Sequence, residues 1–247
     1  MSDYSDVGPG VRRQMVLFFL IDTSGSMAGE NIAAVNNAMR AVLPELKKIG
    51  DMEDNADSEI EVAVLEFSNG CKWQTPRPIP VETFQAWTNL TAEGGTDLGE
   101  ACKILASEMK RGRFLRDHNL FAPVIILMSD GQPTDAFEAG LAELQKNEFY
   151  NGLKKDGTTA KKSIKVACAI GKDADVNALA KFTGSTESVL QVFTPEALIK
   201  WIQFVAIKTS VTNLGDGGQE EINAELKTLE ADPDISGTST SGSDWED

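Results

Sequence analysis

Residues 15–27 constrain the fold more than any other stretch, because seven apolar residues run directly into a cluster of polar ones. The segment reads M-V-L-F-F-L-I-D-T-S-G-S-M. A short apolar run that ends at a turn signal is typical of a strand buried on both faces, as in a parallel sheet covered by helices. The residues after such a strand lie at its carboxyl end, where open α/β sheets bind their ligands.

The loop after this strand presents three side-chain oxygens, from Asp22, Ser24 and Ser26. Gly25 between the two serines permits backbone angles that other residues avoid. Oxygen ligands of this kind suit a hard cation such as Mg²⁺. An alternative is that Asp22 or Ser24 only caps the helix that follows.

The rest of the chain alternates between helical and strand patterns. Apolar residues at spacings of three and four predict an amphipathic helix over residues 29–49. Further strands are predicted at 60–67, 123–128, 164–170 and 189–193, and further helices from residue 96 and at 136–153, 176–182 and 195–207. This alternation predicts an α/β fold that is doubly wound, with a mostly parallel central sheet and helices on both faces.

One edge strand is predicted to be antiparallel. Asn69 and Gly70 are typical of a hairpin turn after the second strand. The extended partner, residues 71–81, contains Pro76, Pro78 and Pro80, and prolines confine such a strand to a sheet edge.

The net charge of −15 argues against nucleic acid and anionic membranes as partners, since both favour basic surfaces. No apolar run approaches the roughly 20 residues that span a bilayer. The N-terminus is polar and acidic, unlike a signal peptide, so we expect a cytoplasmic protein. Three scattered cysteines and a single histidine, His118, argue against zinc sites and disulfide frameworks.

The sequence predicts three regions: an N-terminal segment (1–14), a folded domain (15–211) and an acidic tail (212–247). The tail holds ten acidic residues against Lys227. Ile222, Leu226 and Leu229 have helical spacing, so a short helix is expected there. The final Ser/Thr/Gly-rich stretch is typical of disorder.

Two more oxygen-bearing residues are predicted at the same edge of the sheet. Thr96 lies in the loop G-G-T-D before a helix, and Asp130 follows an apolar strand in S-D-G. The alternatives are that Thr96 is a helix cap and that Asp130 with Gly131 forms a plain turn. Together with Asp22, Ser24 and Ser26 they supply two carboxylates and three hydroxyls, which suit Mg²⁺, with Mn²⁺ or Ca²⁺ as alternatives.

The D-x-S-x-S motif, the later loop threonine and the S-D-G after an apolar strand resemble a von Willebrand factor A domain with a metal-ion-dependent adhesion site (MIDAS). The resemblance covers roughly residues 13–210. It implies that Ser24 and Ser26 bind the metal directly, that Asp22 and Asp130 bind directly or through water, and that Thr96 joins according to the domain's state. A protein partner would complete the coordination with an Asp or Glu carboxylate, which implies binding rather than catalysis.

The segments A-E-G-G-T-D-L-G-E-A and I-I-L-M-S-D-G-Q-P-T-D most resemble bacterial TerY-like proteins of tellurite-resistance and stress gene clusters. Some of those proteins carry a cysteine-rich zinc module at the C-terminus, whereas this chain has its acidic tail. The tail's carboxylates suggest a tethered competitor for the metal, with a purely solubilising tail as the alternative. A metal-dependent hydrolase and a scaffold with a structural metal are the alternative functions.

Overall fold

A computed structural model describes residues 11–130, 132–154, 156–214, 218–232 and 235. It is built on a seven-stranded sheet with the order β3-β2-β1-β5-β6-β7, in which β4 also pairs with β2. The strands are β1 (Arg13–Asp22), β2 (Ser58–Ser68), β3 (Gly70–Trp73), β4 (Ile79–Pro80), β5 (Val124–Ser129), β6 (Ile164–Ile170) and β7 (Val189–Val192). Strands β2, β1, β5, β6 and β7 run parallel to one another, which confirms the predicted fold class.

The antiparallel edge consists of two short strands, β3 and β4, which pair with successive parts of β2. Between them, the backbone N–H of Val64 on β2 donates to the Thr75 hydroxyl at 3.0 Å. The Thr75 hydroxyl thus takes the place of the backbone carbonyl that a neighbouring strand would offer to Val64, and the edge strand is interrupted there.

Helices cover both faces of the sheet, as predicted. They are α1 (Glu30–Gly50), α2 (Leu98–Glu108), α3 (Phe137–Leu144), α4 (Glu148–Asn151), α5 (Val176–Thr183), α6 (Pro195–Leu214) and α7 (Gln219–Glu230). Successive residues of β1 point to opposite faces. Leu17 and Phe19 pack in the core beneath α1, α6 and α7, whereas Phe18 and Leu20 pack beneath α2, α3, α4 and α5.

The prediction of one continuous helix over residues 136–153 is wrong, because the chain breaks between α3 and α4. Asn147 causes the break: its side-chain oxygen accepts from the backbone N–H of Phe149 at 2.9 Å, and its amide donates to the carbonyl of Met109 at 2.8 Å. Asn147 therefore caps α4 and ties it to the end of α2.

The predicted helix near Ile222 is confirmed as α7, and it packs against the body. Ile222 and Leu226 are buried in the same core as α6, which itself runs past residue 211. The Gln219 side chain accepts from the backbone N–H of Lys165 at 2.7 Å and donates to the Lys165 carbonyl at 2.9 Å. Lys165 lies on β6, before the part of that strand that pairs with β7. The division at residue 211 stays a prediction, and the stretch predicted to be disordered, residues 237–247, lies outside the described residues. Within those residues, no helix is both long and apolar enough to cross a membrane.

Candidate metal centre

Asp22 ends β1 and lies at the centre of the candidate site. Because Ile21 pairs with Met128 across β1 and β5, the next residues, Asp22 and Ser129, are neighbours at the carboxyl edge of the sheet. One carboxylate oxygen of Asp22 accepts from the backbone N–H of Ser24 at 2.8 Å, and the other accepts from the Ser129 hydroxyl at 2.5 Å. The Asp22 side chain is fully buried.

Burial raises the pKa of Asp22 to about 6, and the hydrogen bonds from Ser129 and Ser24 only partly oppose this rise. The nearby Asp130 carboxylate raises the pKa of Asp22 further. No lysine or arginine forms an ion pair with Asp22 or Asp130 within the described ranges. The site therefore concentrates negative charge that these residues leave unneutralised.

Ser24 and Ser26 lie side by side after β1, with their hydroxyl oxygens 3.0 Å apart. The turn over Gly25–Met27 separates them from α1, whose N-cap is Gly29. Ser24 is the N-cap residue of that short helical turn, but its side chain makes no capping hydrogen bond there, and neither Asp22 nor Ser24 caps α1. The backbone N–H of Gly25 donates to the carbonyl of Gly94 at 2.9 Å, which joins this loop to the one that carries Thr96.

Thr96 is buried just before α2, and Asp97 rather than Thr96 is the N-cap residue. The Thr96 N–H donates to the Thr134 hydroxyl at 2.8 Å, and the Thr134 N–H donates to the Thr96 carbonyl at 2.9 Å. These bonds use the backbone of Thr96 and leave its hydroxyl without a hydrogen-bond partner among the residues described.

Asp130 follows β5 and is partly exposed. Its carboxylate accepts from the backbone N–H of Gln132 at 3.3 Å, and its carbonyl accepts from the N–H of Asp175 at 2.6 Å. The second bond attaches the Asp130 loop to the start of α5. Gly131, which completes the S-D-G motif, lies outside the described residues.

All five predicted ligands thus follow or precede strands and helices at one edge of the sheet. Hydrogen bonds link Asp22, Ser24 and Ser26 in series, a backbone bond joins their loop to that of Thr96, and the charge of Asp130 acts on Asp22. Two carboxylates and three hydroxyls fit a hard divalent cation. The described residues include no group of three or more His, Cys, Asp or Glu side chains suited to a metal, so a cation here would depend on the hydroxyls.

Sequence reasoning gave no role to Ser129, Thr134 and Asp135. Ser129 donates to Asp22, Thr134 pairs with Thr96, and Asp135 accepts from the first turn of α2. Hydroxyl and carboxylate side chains beside the S-D-G motif were the available signal. Their partners lie tens of residues away, so only the folded chain identifies them.

The family model described as "von Willebrand factor type A domain" matches residues 17–132. No curated protein matches the chain at a significant level. Solved structures share its fold. Proximal thread matrix protein 1 from the mussel byssus, with a zinc-occupied MIDAS motif, has a TM-score of 0.55 at 18% identity, over 78% of this chain and 47% of that one.

A von Willebrand factor type A protein from Catenulispora acidiphila has a TM-score of 0.51 at 16% identity, over 78% of this chain and 45% of that one. BatB from Bacteroides thetaiotaomicron has a TM-score of 0.52 at 13% identity, over 82% of this chain and 100% of that one. The chain spans about half the length of the mussel and Catenulispora proteins. Residues 17–132 thus match the von Willebrand factor type A family model, and the solved structures share the fold of this chain.

Proposed function

We propose that this chain is a divalent-metal-dependent protein-interaction module. Its metal, Mg²⁺ in the first instance, is held by Asp22, Ser24, Ser26, Thr96 and Asp130. The observation that carries the proposal is the fully buried Asp22 carboxylate, which has Asp130 nearby and, among the described residues, receives hydrogen bonds from Ser24 and Ser129 alone. A buried charge is unfavourable unless it is paired or coordinates a metal, and a cation supplies what these neutral donors do not.

The five oxygen-bearing residues contribute to metal binding in two ways. The two carboxylates bring the negative charge, and the three hydroxyls add neutral oxygens that hold the ion without cancelling its charge completely. A bound Mg²⁺ keeps several waters in its octahedral shell, and an Asp or Glu carboxylate of a partner replaces one of them. Attraction between the remaining positive charge and that carboxylate makes partner binding depend on the metal.

We infer binding rather than catalysis because, among the described residues, the site offers no separate general base. His118, the single histidine, adjoins Asn119, whose carbonyl accepts from the N–H of Gln14 near the start of β1. That position is at the amino edge of the sheet, opposite the candidate metal centre. Phosphatase and peptidase assays with Mg²⁺ or Mn²⁺ should show no turnover, and turnover lost in Asp22→Ala would overturn this inference.

Calorimetric titration with Mg²⁺, Mn²⁺, Ca²⁺ and Zn²⁺ tests the metal site directly. Zn²⁺ is included because the mussel protein holds zinc in its MIDAS motif. Wild type should bind at least one of these ions, and Ser24→Ala and Asp130→Ala should bind it more weakly. A matched control is Ser107→Ala, since Ser107 lies on α2 and donates to the Ile104 carbonyl. Equal binding by all four proteins would contradict the assigned ligands.

Partner binding is tested by capture from lysate with the same variants. The proposal predicts proteins that wild type and Ser107→Ala retain in Mg²⁺ but lose in EDTA, and that Ser24→Ala never retains. The captured proteins should bind directly when purified, and mutation of one Asp or Glu in the binding segment should abolish that binding. Identical capture with and without EDTA would contradict a metal-dependent interaction.

We extend the proposal to a cytoplasmic role in a bacterial tellurite-resistance or stress-response system. Its support is the resemblance of the G-G-T-D and S-D-G-Q-P-T-D segments to TerY-like proteins. A deletion strain should grow more poorly on tellurite, and wild type but not Asp22→Ala should restore growth. Full rescue by Asp22→Ala would separate the physiological role from the metal site.

The acidic tail adds a possible competitor to the same site. Residues 212–247 carry ten acids, and a tethered carboxylate reaches a high effective concentration even when its affinity is weak. Because α7 packs on the body, the test should remove only residues 237–247 and keep that helix. Truncation should strengthen partner binding if the tail competes, and unchanged affinity would leave it a solubilising segment.

A further inference from the structure

We propose that Thr134 and Asp135 are positioning residues that hold the Thr96 loop in the geometry that binds the metal. This inference rests on the proposed function, since it concerns how one ligand of that site is placed. The two residues lie in the loop after Asp130 but bond to residues on both sides of Asp97. They thereby connect two of the three loops that form the candidate metal centre.

Thr134 fixes the backbone of Thr96 on both sides. Its hydroxyl accepts from the Thr96 N–H at 2.8 Å, and its own N–H donates to the Thr96 carbonyl at 2.9 Å. Two bonds between the same pair of residues restrict rotation of the Thr96 peptide groups more than either bond alone. The Thr96 hydroxyl takes no part in them and stays available for a metal.

Asp135 holds the start of α2, which follows Thr96 directly. Its two carboxylate oxygens accept from the N–H groups of Gly99 at 2.9 Å and Glu100 at 2.8 Å. These are donors in the first turn of a helix, which a local N-cap side chain often satisfies. Asp97, the N-cap residue, instead accepts from the Gly70 N–H at 2.6 Å, so α2 is capped by a residue from the Asp130 loop.

Two glycines allow this close approach. A Cβ atom at Gly95 would lie 2.8 Å from the Thr134 hydroxyl oxygen. A Cβ atom at Gly99 would lie 2.7 Å from the Ala136 carbonyl oxygen and 2.8 Å from an Asp135 carboxylate oxygen. The pattern G-T-D-L-G in the sequence therefore serves contact with the P-T-D segment as well as the turn itself.

Among the described residues, the hydrogen bonds of Gly94 and Gly95 run to other parts of the chain. Gly94 accepts from Gly25 in the first loop, and Gly95 donates to the Asn69 side chain of the hairpin at 2.8 Å. Thr134 thus supplies a side-chain contact between the Thr96 loop and the Asp130 loop. Residues that orient metal ligands in this way typically change metal affinity by about 10–100-fold when they are replaced.

The test compares two substitutions of Thr134 in metal titrations. Thr134→Val keeps the shape of the side chain but removes the oxygen that accepts from Thr96, whereas Thr134→Ser keeps the oxygen. For the ion that wild type binds, we expect affinity to fall about tenfold in Thr134→Val and to stay within about threefold in Thr134→Ser. Thr209→Val is the control, because Thr209 is fully buried on α6 and donates only to carbonyls of its own helix.

The titrations are made on the full chain, at a temperature where circular dichroism shows every variant to be folded. A general loss of stability would lower affinity in Thr209→Val as well, and the serine variant would then give no rescue. If Thr134→Val does not fold, Asp135→Asn provides the same comparison, with an expected loss of about tenfold, at the lower end of such effects. Its matched control is Asp156→Asn, since the Asp156 carboxylate accepts from the N–H of Thr158 within its own turn.

The outcomes separate this inference from the proposed function. Metal binding by wild type, with equal affinity in Thr134→Val or its substitute Asp135→Asn, would overturn the positioning role and leave the metal site intact. Absence of binding by wild type to any of the ions would overturn both. Loss in Thr134→Val with recovery in Thr134→Ser supports both.

Discussion

The two edges of the sheet treat buried carboxylates in opposite ways. At the amino edge, Glu61 on β2 is buried, and the side chains around it neutralise its charge. The Arg116 guanidinium contacts Glu61 at 2.9 Å and also pairs with Glu59, while the Gln14 amide donates to Glu61 at 2.8 Å. Burial raises the pKa of Glu61, and Gln14 and Arg116 both lower it.

At the carboxyl edge, Asp22 has neutral donors and a second carboxylate as its neighbours. Burial raises its pKa to about 6, and Asp130 raises that pKa further where Arg116 lowers the pKa of Glu61. The difference teaches that the fold can neutralise a buried acid with its own cations and does so at one edge. At the other edge no described lysine or arginine pairs with Asp22 or Asp130, and the metal ion of the proposed function would supply the neutralising charge.

The largest expected effect is the pH dependence of the metal-free protein. Asp22 has a folded-state pKa of about 6 against about 4 in the unfolded chain, so its contribution to stability is complete below about pH 4 and is lost as pH rises through 6. The loss is about 3 kcal/mol by about pH 7. Urea denaturation in EDTA measures it.

Asp22→Asn isolates this contribution, because the substitution removes the titrating group and keeps an oxygen for the Ser24 N–H. The free energy of unfolding of wild type should fall relative to that of Asp22→Asn as pH rises. A constant difference between the two proteins across that pH range would show that folding does not raise the pKa of Asp22.

A somewhat smaller effect is expected at the amino edge from Arg116→Met. The substitution leaves Glu61 buried without its cation, and breaking a buried pair costs about 3–5 kcal/mol. Because the Arg116 side chain is 36% exposed, solvent screens part of this, and we expect a loss of about 2 kcal/mol in urea denaturation. Arg113→Met is the control, since its pair with Glu108 is 58% exposed on the arginine side. Equal losses in the two variants would remove the contrast between the edges.

Ser129→Ala should have a smaller effect that depends on pH. It removes the hydroxyl that donates to Asp22, and a hydrogen bond to a charged group contributes about 1.5 kcal/mol or more. We expect that loss of stability near neutral pH in EDTA and a smaller one at acid pH, where Asp22 is protonated. Ser163→Ala is the control, because Ser163 is buried but donates to the neutral Phe149 carbonyl. A loss of stability in Ser129→Ala that does not depend on pH would show that the Ser129 hydroxyl does not stabilise the ionised form of Asp22.

The fold was largely predictable because apolar runs and helical spacing report local structure. The mostly parallel sheet followed from strands that alternate with helices, and the antiparallel hairpin followed from Asn69 and Gly70. The break between α3 and α4 was not predictable, since Asn147 acts through the carbonyls of Ala106 and Met109 on another element. The docking of α7 likewise depends on Gln219 meeting the backbone of Lys165, which no local pattern encodes.

For the candidate site, the sequence predicted the oxygen-bearing residues but not the residues that hold their loops in position. Asp22, Ser24, Ser26, Thr96 and Asp130 could be predicted as ligands because strand ends of a parallel sheet share one edge, and their role as ligands stays a prediction. Thr134 and Asp135 were not predicted because their hydrogen-bond partners are 35 to 38 positions earlier in the chain. Their role depends on loop distances, and those exist only after folding.

The most direct test of the central claim is the effect of Mg²⁺ on stability at neutral pH. An ion that binds only the folded state adds about 1.4 kcal/mol to the free energy of unfolding at ten times its dissociation constant. The account predicts that saturating Mg²⁺ stabilises wild type against urea and leaves Asp22→Asn unchanged. Equal stabilisation of the two proteins, or none of wild type with any divalent ion, would contradict it.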